Sequence, residues 1–188
     1  MRHAQTLNEA QFRKVLQYCK TRWHVNRDTT IFMVSFYAGL RAKEIAALKL
    51  GDVFDADGNV REQFTLESDQ TKGSQRRTVY INKRLAKALF DYGLDKNLSN
   101  LNRPLFESQK GGYFSPNTMC QLFLDIYKSC GFKDASSHSG RRTYITRLAN
   151  KGVGVRLLAA LAGHSHISTT QRYIDVNADQ MKEAVELL

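Results

Sequence analysis

Four residues whose types could act together on a phosphate stand in one stretch, SHSGRRTYITRLANKGVGVRLLAALAGHSHISTTQRY: His138, Arg141, His164 and Tyr173. The planar fork of an arginine donates two parallel hydrogen bonds to phosphate oxygens and never loses its charge. Imidazoles move protons near neutral pH, and a tyrosine hydroxyl can attack phosphorus. Two more cations suit the same task. Arg41 follows a glycine in GLRAKE, with Glu44 one turn on, where a carboxylate can orient a guanidinium. Lys72 falls in TKGSQRR, at the expected tip of a β-hairpin. Phosphoryl transfer gathers negative charge on the equatorial oxygens of its transition state, and fixed cations must meet it. A nucleophile and an acid for the leaving oxygen complete the set. The chain has no P-loop, and the reading expects no metal and no cofactor.

Singly, each residue has a plainer reading. Arg41 could be a surface arginine and Lys72 a solubilising lysine at a hairpin tip. His138 could merely cap or pack at a helix N-terminus, and Tyr173 could be half-buried core. Their order and spacing together carry the chemical reading.

The elements that must position these residues are mainly helical. Thr6-Leu7-Asn8-Glu9 reads as a capping box, opening a first helix from about Leu7 to Cys19 with Phe12, Val15, Leu16 and Cys19 on one face. Asp28 is expected to cap a second helix, apolar nearly all round and therefore buried, with Gly39 as its stop. A short third helix turns Ile45 and Leu48 inward. Asp57-Gly58 signals a turn, and strands are expected around Val60–Leu66 and Arg77–Ile81, joined through TKGSQ. Helix returns from Lys83 to Tyr92. Residues 93–114 read as a loop-rich connection. Ser115-Pro116 opens a helix with Met119, Leu122, Phe123, Ile126, Tyr127 and Cys130 on one face, ended by Gly131. A helix after Gly140, a Gly152/Gly154 turn, a helix ending at Gly163 and a short helix capped by Ser168 follow. Asn177 is expected to cap a last helix with an apolar edge of Met181, Ala184, Val185 and Leu188. The fold class is thus mixed α+β, mainly helical, with a small antiparallel sheet.

A chain of 188 residues with 42% apolar content fits a single domain with a sizeable core. Its 28 Lys and Arg against 18 Asp and Glu leave a net charge of +10. The bland reading is solubility; the sharper one is a polyanionic partner, usually nucleic acid. No helix sets a basic face against a bulky apolar one, which argues against a membrane surface. The three cysteines form no C-x-x-C pair and point to reduced thiols, not to a disulfide framework or a zinc site. With no signal-peptide core and no apolar run of membrane-spanning length, the expectation is a soluble cytoplasmic protein.

At this point a family resemblance is visible. GLRAKEIAALKLGDV resembles the first-arginine motif of the tyrosine recombinases, or phage integrase family, and TKGSQRRTVYI resembles their β-hairpin lysine motif. HSGRRTYITRLANKG resembles their H-x-x-R motif, and LAGHSHISTTQRYIDV their closing His-to-Tyr motif. The likeness runs from about Leu7 to the C-terminus. It implies the catalytic-domain fold of that family and a site-specific recombinase that cuts and rejoins double-stranded DNA. Tyr173 would attack the scissile phosphate and form a 3′-phosphotyrosyl link. Arg41 and Arg141 would clamp the non-bridging oxygens with support from His164. Lys72 would protonate the leaving 5′-oxygen, His138 would assist proton transfer, and Glu44 would orient the cations. The covalent link conserves bond energy, so rejoining needs neither ATP nor metal. Arg76, Arg77 and Arg142 are expected DNA contacts. The last helix would dock on a neighbouring protomer, giving a homo-oligomer, a tetramer, on DNA.

The sequence also departs from the family's pattern. Gly140 stands where a leucine is common, and Arg142 where a histidine is common. Nothing corresponds to the N-terminal helical DNA-binding domain of most members, so the expectation is a single catalytic domain. Two other readings stay open. RRTYITRLANKGVGVRLLAALAGHS could pass for a helix-turn-helix of a non-catalytic regulator, and the same chemistry could serve a relaxing topoisomerase.

Overall fold

Helix α2 (Val25–Ala38) is the axis of the molecule, a computed structural model that describes residues 4–71, 76–174, 181, 185 and 186. Ile31, Phe32, Val34, Phe36 and Ala38 are all buried, as an all-round apolar helix must be. α1 (Glu9–Cys19), α5 (Lys83–Gly93) and α7 (Ser139–Ala149) pack around it. Phe12 of α1 meets Phe36 with ring centroids 4.2 Å apart, and Phe32 at 5.4 Å. α6 (Pro116–Ser129) completes the core with Met119, Phe123, Ile126 and Tyr127, packing on α1 and α3.

α3 (Ala42–Ala46) and α4 (Leu50–Val53) follow α2 directly. The loop-rich segment returns to them: Leu105 N–H donates to the Leu48 carbonyl at 2.8 Å, and Leu50 N–H to that of Arg103 at 2.9 Å. It is a connection laid on the core, as its composition suggested. β1 (Gln63–Leu66) and β2 (Arg77–Tyr80) form an antiparallel pair in the register Gln63↔Tyr80 to Leu66↔Arg77. α8 (Val155–Ala162) and α9 (Ile167–Gln171) close the described part.

Several local expectations shift. The first helix starts at Glu9, because Asn8 makes the capping box with Gln11 in place of Thr6 with Glu9. Asp28 does not cap α2. It lies inside the first turn, buried, and its carboxylate accepts Arg22 Nε at 2.6 Å and Arg27 Nε at 2.9 Å. α9 begins at Ile167 with His166 as its N-cap, so Ser168 is inside the helix. Val60 lies outside the strand pair and bridges to Phe54 across the turn carrying Gly58 (φ 82°). In that turn Asp55 and Asp57 make a D-x-D triplet that the reading of no metal passed over. Asp55 Oδ1 accepts the N–H groups of Asp57 and Asn59, so its carboxylate closes the turn. Among the described residues, no group of three or more His, Cys, Asp or Glu side chains is placed to hold a metal ion. None of their helices is long and apolar enough to cross a membrane. Of the expected last helix, Met181 and Val185 are described, both exposed, and the remainder lies outside the described residues.

Candidate active site

Among the described residues, the guanidinium groups of Arg41, Arg77 and Arg141 gather around one carboxylate, Glu44. Local rules explain how each arrives. α2 stops at Gly39, whose φ of 64° is the left-handed conformation that glycine adopts freely. Two residues on, Arg41 is the extended N-cap of α3. Glu44 is the third residue of that helix and reaches back, so that Oε2 accepts Arg41 N–H at 2.9 Å. Its Oε1 accepts Arg41 Nη1 at 2.7 Å, which fixes the guanidinium.

Arg141 lies one turn into α7 and is 3% exposed. Its Nη1 donates to the Gly39 carbonyl at 2.7 Å and its Nη2 to the Ala162 carbonyl. These oxygens belong to the C-terminal ends of α2 and α8, where carbonyls lack helical partners and carry the negative end of the dipole. Helix ends thus hold the cation in place of a second carboxylate. Burial, reinforced by the neighbouring Arg41 charge, pushes the Arg141 guanidinium down to about 9, so it stays protonated at neutral pH. Burial alone would raise the Glu44 carboxyl. The charge of Arg77, the N–H and charge of Arg41 and the charge of Arg141 outweigh it, and Glu44 is held below the ordinary carboxylate range. Three guanidiniums against one carboxylate leave two unbalanced positive charges, a centre prepared for an anion.

α8 ends at Gly163 (φ 61°), and the turn presents His164, whose Nδ1 lies 2.8 Å from Thr170 Oγ1. Burial first, then the charges of Arg141, Arg41 and Arg77, push the imidazole down to about 4, so it is neutral at pH 7. Tyr173 follows α9. Its ring stacks on His164 with centroids 5.9 Å apart, and the Arg142 guanidinium stands over it at 5.4 Å. A cavity of about 460 Å³ opens beside the cluster, lined by Arg41, Glu44 and His164 and by Arg76 and Tyr80 of the hairpin side.

The structure therefore brings together Arg41, Glu44, Arg141, His164 and Tyr173 from three distant segments. His138 is the exposed N-cap of α7, one turn before Arg141. Arg76 is exposed and pairs with Glu67 at 2.7 Å. Lys72 lies outside the described residues. The flanking segment is anchored, because Lys43 Nζ donates to the Thr71 carbonyl at 3.3 Å and Gln70 Nε2 to that of Ala47 at 3.0 Å. Arg77 corrects the sequence reading. It was expected on DNA with Arg76, but it is 7% exposed and ion-paired with Glu44 at 2.7 Å. Strand alternation was the missed signal: Arg77 and Val79 share the inward face of β2. Thr170, wholly buried, was missed as well; its only trace was its place three residues before Tyr173. The end of α8 turns its carbonyls onto Arg77 and Arg141, a placement that the helix-turn-helix reading leaves unexplained.

This fold and centre define a family, and the comparisons agree. A family model described as the phage integrase family matches residues 5–180, and the chain belongs to that family. It is 27% identical over 161 residues to tyrosine recombinase XerC of Pelobacter propionicus, covering 85% of this chain and 51% of the relative. The crystal structure of XerA recombinase superposes with a TM-score of 0.76 at 25% identity, over 97% of this chain and 64% of that one. The Tn1549 transposon integrase, solved in complex with circular intermediate DNA, matches with a TM-score of 0.72 at 20% identity, over 96% of this chain and 66% of that one. The chain spans about half the length of the curated relatives it matches.

Proposed function

We propose that this chain is the catalytic domain of a site-specific DNA recombinase acting through a 3′-phosphotyrosyl intermediate. The observation that carries this reading is the buried arginine cluster with its two unbalanced positive charges, set beside the His164–Tyr173 stack. Membership of the phage integrase family and the DNA complex of a fold relative support it.

In this mechanism a phosphodiester of double-stranded DNA enters the cavity beside Arg41. Arg41 and Arg141 neutralise its non-bridging oxygens. Tyr173 Oη forms a bond to phosphorus as the bond to the 5′-oxygen breaks. The tyrosine proton passes to His138 and the 5′-oxygen takes a proton from Lys72, so charge and atoms balance. A neutral His164 accepts the Thr170 hydroxyl at Nδ1 and offers Nε2–H to an oxygen of the phosphate. Attack by a second 5′-hydroxyl reverses the steps and rejoins the strand. Arg76 and Arg142 contact the DNA backbone, and recombination proceeds in a homotetramer joined through the C-terminal helix.

Covalent trapping tests this. The chain is incubated with a pool of nicked duplexes of randomised sequence, and protein–DNA adducts are recovered on denaturing gels. Wild type should yield adducts through Tyr173, and Tyr173→Phe none. A wild type that binds duplex but never forms an adduct sinks the reading. Relaxation of arbitrary supercoiled plasmid would place the chain with relaxing topoisomerases instead.

A further inference from the structure

One buried side chain joins α3 and the end of α8 at the centre. Arg77 starts β2. Its Nη2 donates to Glu44 Oε2 of α3 at 2.7 Å, and its Nη1 to the Leu161 carbonyl near the end of α8 at 2.7 Å. The turn before His164 is built against it: a Cβ added at Gly163 would run into Arg77 Cδ and Nε. The guanidinium thus braces hairpin, arginine clamp and histidine turn against one another, and it stands, 7% exposed, in the wall of the cavity beside Arg41.

We infer that Arg77 is a positioning residue of the reaction, holding Glu44 and the His164 turn in the geometry that cleavage needs. This rests on the recombinase reading above. The physical reason is its fork. Two N–H groups diverge to two acceptors on different elements, and a lysine has a single nitrogen to offer them. Without Arg77, Glu44 Oε2 keeps only the Arg41 N–H, so the carboxylate that fixes the Arg41 guanidinium is held from one side, and the Leu161 carbonyl no longer fixes the turn. Its charge matters separately, since it is one of the cations that keep His164 neutral.

Arg77→Lys keeps the charge and loses the fork, and Arg77→Gln loses both. Each is compared with wild type on a nicked duplex recovered from the randomised pool. The measurements are the DNA dissociation constant, the single-turnover adduct rate at saturating DNA, the pH dependence of that rate, and the melting temperature. The expectation is binding within about twofold of wild type for both variants, with the saturated rate down about tenfold in Arg77→Lys and about a hundredfold in Arg77→Gln. The acid limb of the rate should move to higher pH in Arg77→Gln and stay put in Arg77→Lys, because only the former removes a charge that disfavours the imidazolium. A general loosening of the fold would not separate the two variants in this way. Weaker binding with an unchanged saturated rate overturns the inference in favour of a duplex contact. Equal losses that track the folded fraction overturn it in favour of a plain scaffold role. If Arg77→Gln does not fold, Arg77→Lys decides by its rate-against-binding split. A wild type without adduct defeats the recombinase reading. A wild type with adduct, matched by both variants, defeats this inference alone.

Discussion

Thr170 ties His164 to the turn that carries Tyr173. Its hydroxyl lies 2.8 Å from His164 Nδ1, while its carbonyl accepts Tyr173 N–H at 2.9 Å. One buried residue therefore sets the orientation of the imidazole and the start of the segment bearing the nucleophile. A hydroxyl can donate to Nδ1 or accept from Nδ1–H, so Thr170 fixes the direction of the ring in either tautomer.

Thr170→Val keeps the shape and removes the hydroxyl. The saturated adduct rate should fall about tenfold, the worth of one lost hydrogen bond at ~1.4 kcal/mol. Thr170→Ser should retain most of the rate. Single-turnover cleavage of a nicked duplex checks both, and a valine variant as fast as wild type would show that the imidazole is oriented by other contacts.

Gly140 answers the departure from the usual family leucine. α2 and α7 approach so closely there that an added Cβ would meet the Ser35 hydroxyl, with Ser35 Cβ at 3.0 Å and its carbonyl carbon at 3.1 Å. Gly140→Leu should destabilise the fold by about 2 kcal/mol or more, as overpacking does. Ser35→Gly should restore only part of this, since the backbone carbon stays in the way. Urea denaturation of the two variants and their combination tests the pairing.

What was legible in the sequence follows from this geometry. Gly39 and Gly163 could be read as helix stops because a left-handed residue ends a helix for local reasons, and each stop places the next functional residue, Arg41 or His164. Arg141 was legible by type and spacing, but its partners were not. The Gly39 and Ala162 carbonyls come from helix ends distant in sequence, and no residue type announces them. Arg77 was misplaced because a basic run beside a hairpin tip reads as a surface, whereas strand alternation sends it inward with Val79. Asp28 was misplaced for a related reason. An aspartate near a helix start reads as a cap, and the two arginines that claim its carboxylate are visible only in three dimensions. Thr170 left only its place three residues before Tyr173 as a trace, since a threonine in a short polar helix looks like any other.

Asp28 leads to a stability prediction. Its side chain is 1% exposed and pairs with Arg22 at 2.6 Å and Arg27 at 2.9 Å. Asp28→Ala leaves the buried Arg27 guanidinium without its carboxylate, so the loss should be about 3–5 kcal/mol. Asp28→Asn, which can still accept hydrogen bonds, should lose less. The check is a fall in the urea midpoint with the slope unchanged.

His164 sets a pH dependence whose sign can be worked out. Its ordinary value of 6.5 is lowered in the folded chain to about 4, by burial and then by the charges of Arg141, Arg41 and Arg77. Between these values the unfolded chain binds a proton that the folded chain refuses. Folding stability therefore falls as pH drops from about 6.5 to about 4, with at most one proton in the slope, and this contribution is flat above that window. Glu44 adds a separate loss at lower pH, because its folded carboxyl is held below its ordinary value of 4.5 and its ion pairs are lost as it protonates. His164→Gln should remove the upper part of the dependence and leave the lower part. Denaturation midpoints of the two proteins, measured at intervals between pH 4 and 8, give the difference in slope. If the curves run parallel through the window, the imidazole is not held neutral by the arginine cluster.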